Sequence, residues 1–189
     1  NAALGLLAQR GRREDVERVA RHFAKATNAT DEVAALAILA EIKAPERAAA
    51  FEKFYARWKG DHLMIDNWFA YQASSPLPTS LGAVRKLARH ALFSIKNPNK
   101  VRALIGTFAA GNPVNFNRPD GKGYDYVAGR VLEIDRFNPQ VASRLLSAFR
   151  SWRTLEPERR ALAEASLRRI AGTTPLSHDV FEIVTKMLD

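Results

Sequence analysis

Cysteine is absent from this 189-residue chain. That absence excludes a disulfide framework, thiolate zinc sites and a cysteine nucleophile, and it accords with a reducing, cytoplasmic compartment. Long apolar runs are missing as well. The longest, Val33 to Ala40, is far short of the roughly 20 residues that span a bilayer, and the amino terminus has no basic, apolar, small-residue signal pattern. Histidine is sparse: His22, His62, His90 and His178 have no histidine or glutamate-rich neighbour at ligand spacing, and H-E-x-x-H does not occur. A G-x-S-x-G elbow, a phosphate loop and a dinucleotide fingerprint are also lacking. No segment alternates as a strand would. These absences leave a membrane-free, all-helical chain without metal or cofactor of its own.

Positive charge is plentiful, with a formal net of +9, which raises nucleic acid or an acidic protein as partners. Its distribution argues otherwise. Arg12, Arg13, Arg150, Arg153, Arg159, Arg160, Arg168 and Arg169 are interleaved with Glu14, Asp15, Glu156, Glu158 and Glu164, the pattern of solvated helix faces. There is no polybasic tail, arginine-glycine repeat or recognition-helix motif.

Helical periodicity runs almost from end to end. Apolar stripes recur at three and four residues in Val16/Val19/Ala20/Phe23, Phe51/Phe54/Tyr55/Trp58, Val101/Leu104/Ile105/Phe108 and Tyr124/Val127/Ala128/Val131/Leu132. Start signals place helices near residues 13, 30, 45, 62, 79 and 97. Thr30 or Asn28 precedes Val33, Pro45 opens a helix, Thr79 or Ser80 precedes Leu81, and Ser177 precedes Val180. Steps this short make consecutive helices antiparallel. Val33 to Ile42 is apolar nearly all round, which places it centrally. Leu4, Leu6 and Leu7 are helix-like from the outset, which implies a longer chain upstream. The expected architecture is one helical-repeat domain over residues 1–189: an irregular α-α superhelix, armadillo- or HEAT-like, of about ten to eleven antiparallel helices. A globular bundle is the alternative.

Two segments carry the functional signal, NPNKVRALIGTF from Asn97 and NPQVASR from Asn138. Asparagine caps a helix and proline suits the first helical position, so each Asn-Pro starts a helix. In the second, Val141, Leu145, Ala148, Phe149 and Trp152 read as a buried face, with Gln140, Arg144, Ser147 and Ser151 as a parallel polar stripe. Gln140 and Arg144 share a face near the amino end, a place suited to a carbonyl or carboxylate. The plain reading is a solvated flank with a surface ion pair.

Between these segments lies AGNPVNFNRPDGKG, Ala110 to Gly123. Asn112-Pro113 can begin a single turn, Pro119-Asp120-Gly121 reads as a tight turn, and Phe116 is expected to pin an ordered loop. Asp120, Asp125, Glu133 and Asp135 could be imagined as a carboxylate pair for glycoside hydrolysis, but nothing in the spacing fixes a separation and charged faces account for them. Trp58, Trp68, Phe69 and Tyr71 read as core.

The run from Asn97 to Arg153 resembles the carboxy-terminal helical domain of bacterial aminopeptidase N, a zinc gluzincin family. MIDNWFAYQASSP, ATNATDEVAAL and the terminal FEIVTKMLD support the likeness. The resemblance implies that an amino-terminal domain, a thermolysin-like catalytic domain and a small β-sandwich precede a curved stack of helix pairs that closes over the active site. Zinc, the general-base glutamate and the GxMEN-type loop belong to the catalytic domain and are not in this sequence. The chain would thus lack peptidase activity by itself, its partners being the other domains of its polypeptide and short peptide substrates. By the same resemblance Arg102, Gln140 and Arg144 line the substrate chamber. The rival expectation is a freestanding basic helical scaffold that binds nucleic acid or an acidic protein.

Overall fold

The computed structural model describes residues 2–189, and among them there are helices and no strands. Helices α1 (Ala2–Ala8), α2 (Arg13–Lys25), α3 (Ala29–Ala40), α4 (Pro45–Trp58), α5 (His62–Ser74) and α6 (Ser80–Leu87) form the first part. A continuous rod follows, made of α7 (Pro98–Val101), a π-helical turn (Arg102–Gly106) and α8 (Thr107–Gly111). Then come α9 (Pro113–Phe116), α10 (Lys122–Asp135), α11 (Pro139–Leu146), α12 (Pro157–Ala171) and α13 (His178–Leu188).

The starts fall where local chemistry puts them. Asn28, rather than Thr30, caps α3 by accepting from the Asp31 amide, and Asp61 caps α5 through the amides of Leu63 and Met64. Ser177 caps α13, and proline stands in the first turn of α4, α7, α9, α11 and α12. Each helix packs mainly on partners one to three places along the chain: α2 on α3 and α4, α3 on α4 and α5, α5 on α6 and the rod, α10 on α11 and α12, and both of these on α13. Nearest-neighbour stacking of this kind builds an irregular α-α superhelix rather than a bundle around one axis.

One core runs through the stack, with Leu36, Phe54, Phe69, Leu104, Phe108, Val127, Ile134, Leu146 and Leu167 inaccessible to solvent. Buried charges are compensated. Asp15 accepts two bonds from the Arg10 guanidinium at 2.8 and 3.0 Å, which holds its carboxyl below the usual carboxylate range. Lys100 reaches from the rod to the Asp66 carboxylate of α5 at 2.6 Å and to the His62 carbonyl at 3.2 Å. That contact fixes the start of the rod against α5.

The segment from Ala110 to Gly123 is ordered. Asn112 caps α9, and its amide donates to the carbonyls of Ala73 and Ser75 at 2.8 and 2.7 Å and to Ser80 Oγ at 3.1 Å. Phe116 meets the rings of Tyr124 and Phe149 edge-on, each at 5.1 Å. Gly121 takes a φ of +68° in the turn closed onto Arg118. A Cβ on Gly123 would stand 2.3 Å from the Phe116 carbonyl oxygen.

One expectation needs correction. The helix from Asn138 does not continue to Trp152: α11 ends at Leu146 and gives way to 3-10 turns at Ser147–Phe149 and Trp152–Thr154. The hydroxyls of Ser143 and Ser147 bond back to the carbonyls of Gln140 and Arg144 at 3.1 and 2.7 Å, a competition that weakens the regular ladder. Leu145, Phe149 and Trp152 are buried as expected, joined by Ala142 and Leu146, while Val141 and Ala148 are only half-buried. The carboxylates imagined as a pair are each engaged elsewhere: Asp120 with Arg118, Asp125 with Arg169, Glu133 with Arg130, and Asp135 with Ser177.

Candidate functional site

The rod and α11 lie close enough for Leu145 to fill the space left by Gly106, where an added Cβ would meet its Cδ2 at 4.0 Å. Between them runs a groove of about 360 Å³. Its floor is apolar, from Val101, Ala109, Val141, Leu145 and Ala148, and Arg102 and Arg144 stand on its two walls. Ser147 and Asn99 complete the polar lining, and no carboxylate or imidazole contributes to it.

Both arginines are exposed, and among the described residues neither guanidinium has an ion pair or hydrogen bond. Several other basic residues are paired locally, although among the described residues Arg18, Arg89, Arg136, Arg150 and Arg160 also lack a side-chain partner. Arg13 holds Glu46 at 2.5 Å, Arg168 holds Glu164 at 2.6 Å and Arg159 holds Glu156 at 3.0 Å. Most of the interleaved charge is thus neutralised locally, and the groove keeps two uncompensated cations. A guanidinium offers a rigid fork of donors matched to a carboxylate or phosphate.

The local fold explains how Arg102 reaches its place. It opens the π turn, in which its carbonyl accepts from the Thr107 amide five residues on, and from Thr107 Oγ1 at 3.3 Å. π turns are concentrated at functional sites. Arg144 sits on the last turn of α11, whose first turn is capped by Asn138 through the Val141 amide at 3.2 Å. Gln140 is exposed one turn before Arg144 and lies outside the groove lining. The structure therefore brings Arg102 and Arg144 together and leaves Gln140 apart. Val101, Val141, Leu145 and Ala148 were read from sequence as core-facing rather than as the floor of a groove, although the small residues Gly106, Ala109 and Ala110 on one rod are a usable signal of close approach.

Among the described residues no group of three or more His, Asp or Glu could hold a metal ion. His90, for example, accepts from the Leu92 amide and packs against the rings of Tyr55 and Trp68. Among the described residues no helix is long and apolar enough to cross a membrane.

Comparison with known proteins agrees with this architecture. The chain is 37% identical over 188 residues to aminopeptidase N of Caulobacter vibrioides, covering all of this chain and 22% of that protein. It is 36% identical over 170 residues to aminopeptidase N of Escherichia coli K12, covering 90% of this chain and 20% of the relative. The crystal structure of Legionella pneumophila aminopeptidase A in complex with aspartic acid superposes with a TM-score of 0.88 at 35% identity, over 93% of this chain and 21% of that one. The chain thus spans about a fifth of the length of the relatives it matches. A family model described as "Domain of unknown function (DUF3458_C) ARM repeats" matches residues 1–189. The chain belongs to that ARM-repeat family and corresponds to the carboxy-terminal helical domain of aminopeptidase N.

Proposed function

We propose that the chain is a non-catalytic wall of an aminopeptidase's active-site chamber, controlling which peptides enter and holding the far end of those that do. The observation that carries this reading is the pair of uncompensated guanidiniums, Arg102 and Arg144, on the walls of one apolar groove. A helical wall turns an open cleft into a chamber that admits short peptides and restricts water. Within it, each desolvated charge-assisted bond from a guanidinium to a peptide carboxylate or carbonyl contributes about 1.5–3 kcal/mol. Gln140, exposed one turn before Arg144 and outside the groove lining, belongs to the same proposed chamber wall. The chain's main partner is the rest of its own polypeptide, in the cytoplasm. Zinc would be bound by residues outside this chain, where it activates water and polarises the scissile carbonyl.

The test is Arg144→Ala in the complete polypeptide. The Michaelis constant for short peptides should rise about tenfold, in keeping with one lost charge-assisted bond. That for chromogenic amides without a carboxyl end should be little changed, as should the unfolding midpoint. Equal effects on both substrates would defeat the assignment. A basic face that binds nucleic acid or an acidic protein is the second reading, resting on the net charge of +9; its signature is binding that falls log-linearly with salt through counterion release.

A further inference from the structure

A second set of unsatisfied donors lies apart from the two groove arginines, on α10 where the Arg85 side chain of α6 approaches it. Tyr126 on α10 is only 9% exposed, and its phenol oxygen is enclosed with no hydrogen-bond partner. The same is true of Nε of Arg130, four residues on. Two guanidiniums lie near the one ring, Arg130 at 5.6 Å and Arg85 of α6 at 5.8 Å from its centroid. Phe108 packs edge-on against the ring at 5.9 Å and holds it in place.

The charges there do not balance. Arg130 pairs through NH1 with Glu133 at 2.8 Å, which leaves Nε untouched, and among the described residues Arg85 has no ion pair. Two cations thus share one carboxylate. The phenol is a protonated donor at neutral pH, and burial raises its pKa further, to about 12. Enclosed donors without acceptors carry their full desolvation cost.

We propose that Arg85, Tyr126 and Arg130 form a binding site for an oxyanion, a carboxylate or phosphate group. The anion accepts from the phenol and from Arg130 Nε and sits between the two guanidiniums. Arg85, exposed and unpaired, swings aside to admit it. The proposal is independent of the groove and of any peptidase role.

The experiment titrates inorganic phosphate into the 189-residue chain and into the complete polypeptide, reading arginine Nε–H resonances by nitrogen–proton NMR. A saturable shift of the Arg130 Nε–H signal is expected in the chain. Arg85→Gln and Tyr126→Phe should each weaken it about tenfold, as loss of one charge-assisted bond does. The double variant Arg102→Gln/Arg144→Gln should leave it unchanged. Binding to the chain but not to the complete polypeptide identifies the oxyanion as a carboxylate of the remaining polypeptide; binding to both identifies a free anion. Backbone amide spectra check that each variant is folded, and Arg85→Gln alters only an exposed side chain. No saturable shift in the chain, indifference to Tyr126→Phe, or equal loss in the groove double variant would overturn the proposal.

Discussion

Asn112 and Asn138 open helices with the same dipeptide, yet the two regions they begin have opposite fates. Asn112 is 1% exposed, and its amide is spent inside the molecule on Ala73, Ser75 and Ser80, tying α9 to the end of α5 and the start of α6. Asn138 is half-buried and makes one cap bond, to the Val141 amide, so the helix it starts keeps a free flank beside the groove. The cap itself is common to both. What differs is where the amide nitrogen finds its acceptors, and that decides whether an Asn-Pro start fastens the fold or presents a surface.

Three measurements sharpen or break this contrast. Gly123→Ala carries the largest effect, because its Cβ would collide with the carbonyls of Phe116 and Asn115 at 2.3 and 2.5 Å. Unfolding in urea should show a loss of about 3 kcal/mol, and a near-neutral result would mean that the connector is not packed as described. Asn112→Ala follows, costing about 2 kcal/mol by the same assay because it strands buried carbonyls, whereas Asn138→Ala should cost about 1 kcal/mol, the worth of a cap. Equal losses would erase the distinction between the two regions. The smallest effect is alkaline. Tyr124 and Tyr126 are both pushed by burial from 10.0 up to about 12. Since the unfolded chain ionises first, their contribution is intact below pH 10 and is lost as pH rises toward about 12. Tyr126→Phe should flatten part of that fall in the urea midpoint. The Tyr124 share should survive, because burial still raises that phenol in the variant.

The legible part of this fold is the part written locally. Caps and proline starts at Asn28, Pro45, Asn97 and Ser177 act over three or four residues, so the helix register was open to reading. The end of α11 was not, because Ser143 and Ser147 look like any polar flank until their hydroxyls turn back onto the helix. Nor was the role of Asn112, whose acceptors lie more than thirty residues earlier. At the groove, Arg102 and Arg144 were found through family resemblance; their lack of ion pairs is a tertiary property that spacing does not encode. Tyr126 gave no sequence signal at all, since it falls outside the apolar stripe of Tyr124, Val127, Ala128, Val131 and Leu132.

The widened turn at Arg102–Gly106 sets the angular phase of everything before Thr107 relative to everything after it. Each α-helical residue rotates the chain by about 100°. Shortening this stretch by one residue, so that it relaxed to an ordinary coil, would swing the Arg102 side chain roughly a quarter turn away while Phe108 and Ala109 kept their seats. The orientation of one arginine would then be changed by a deletion rather than by a substitution.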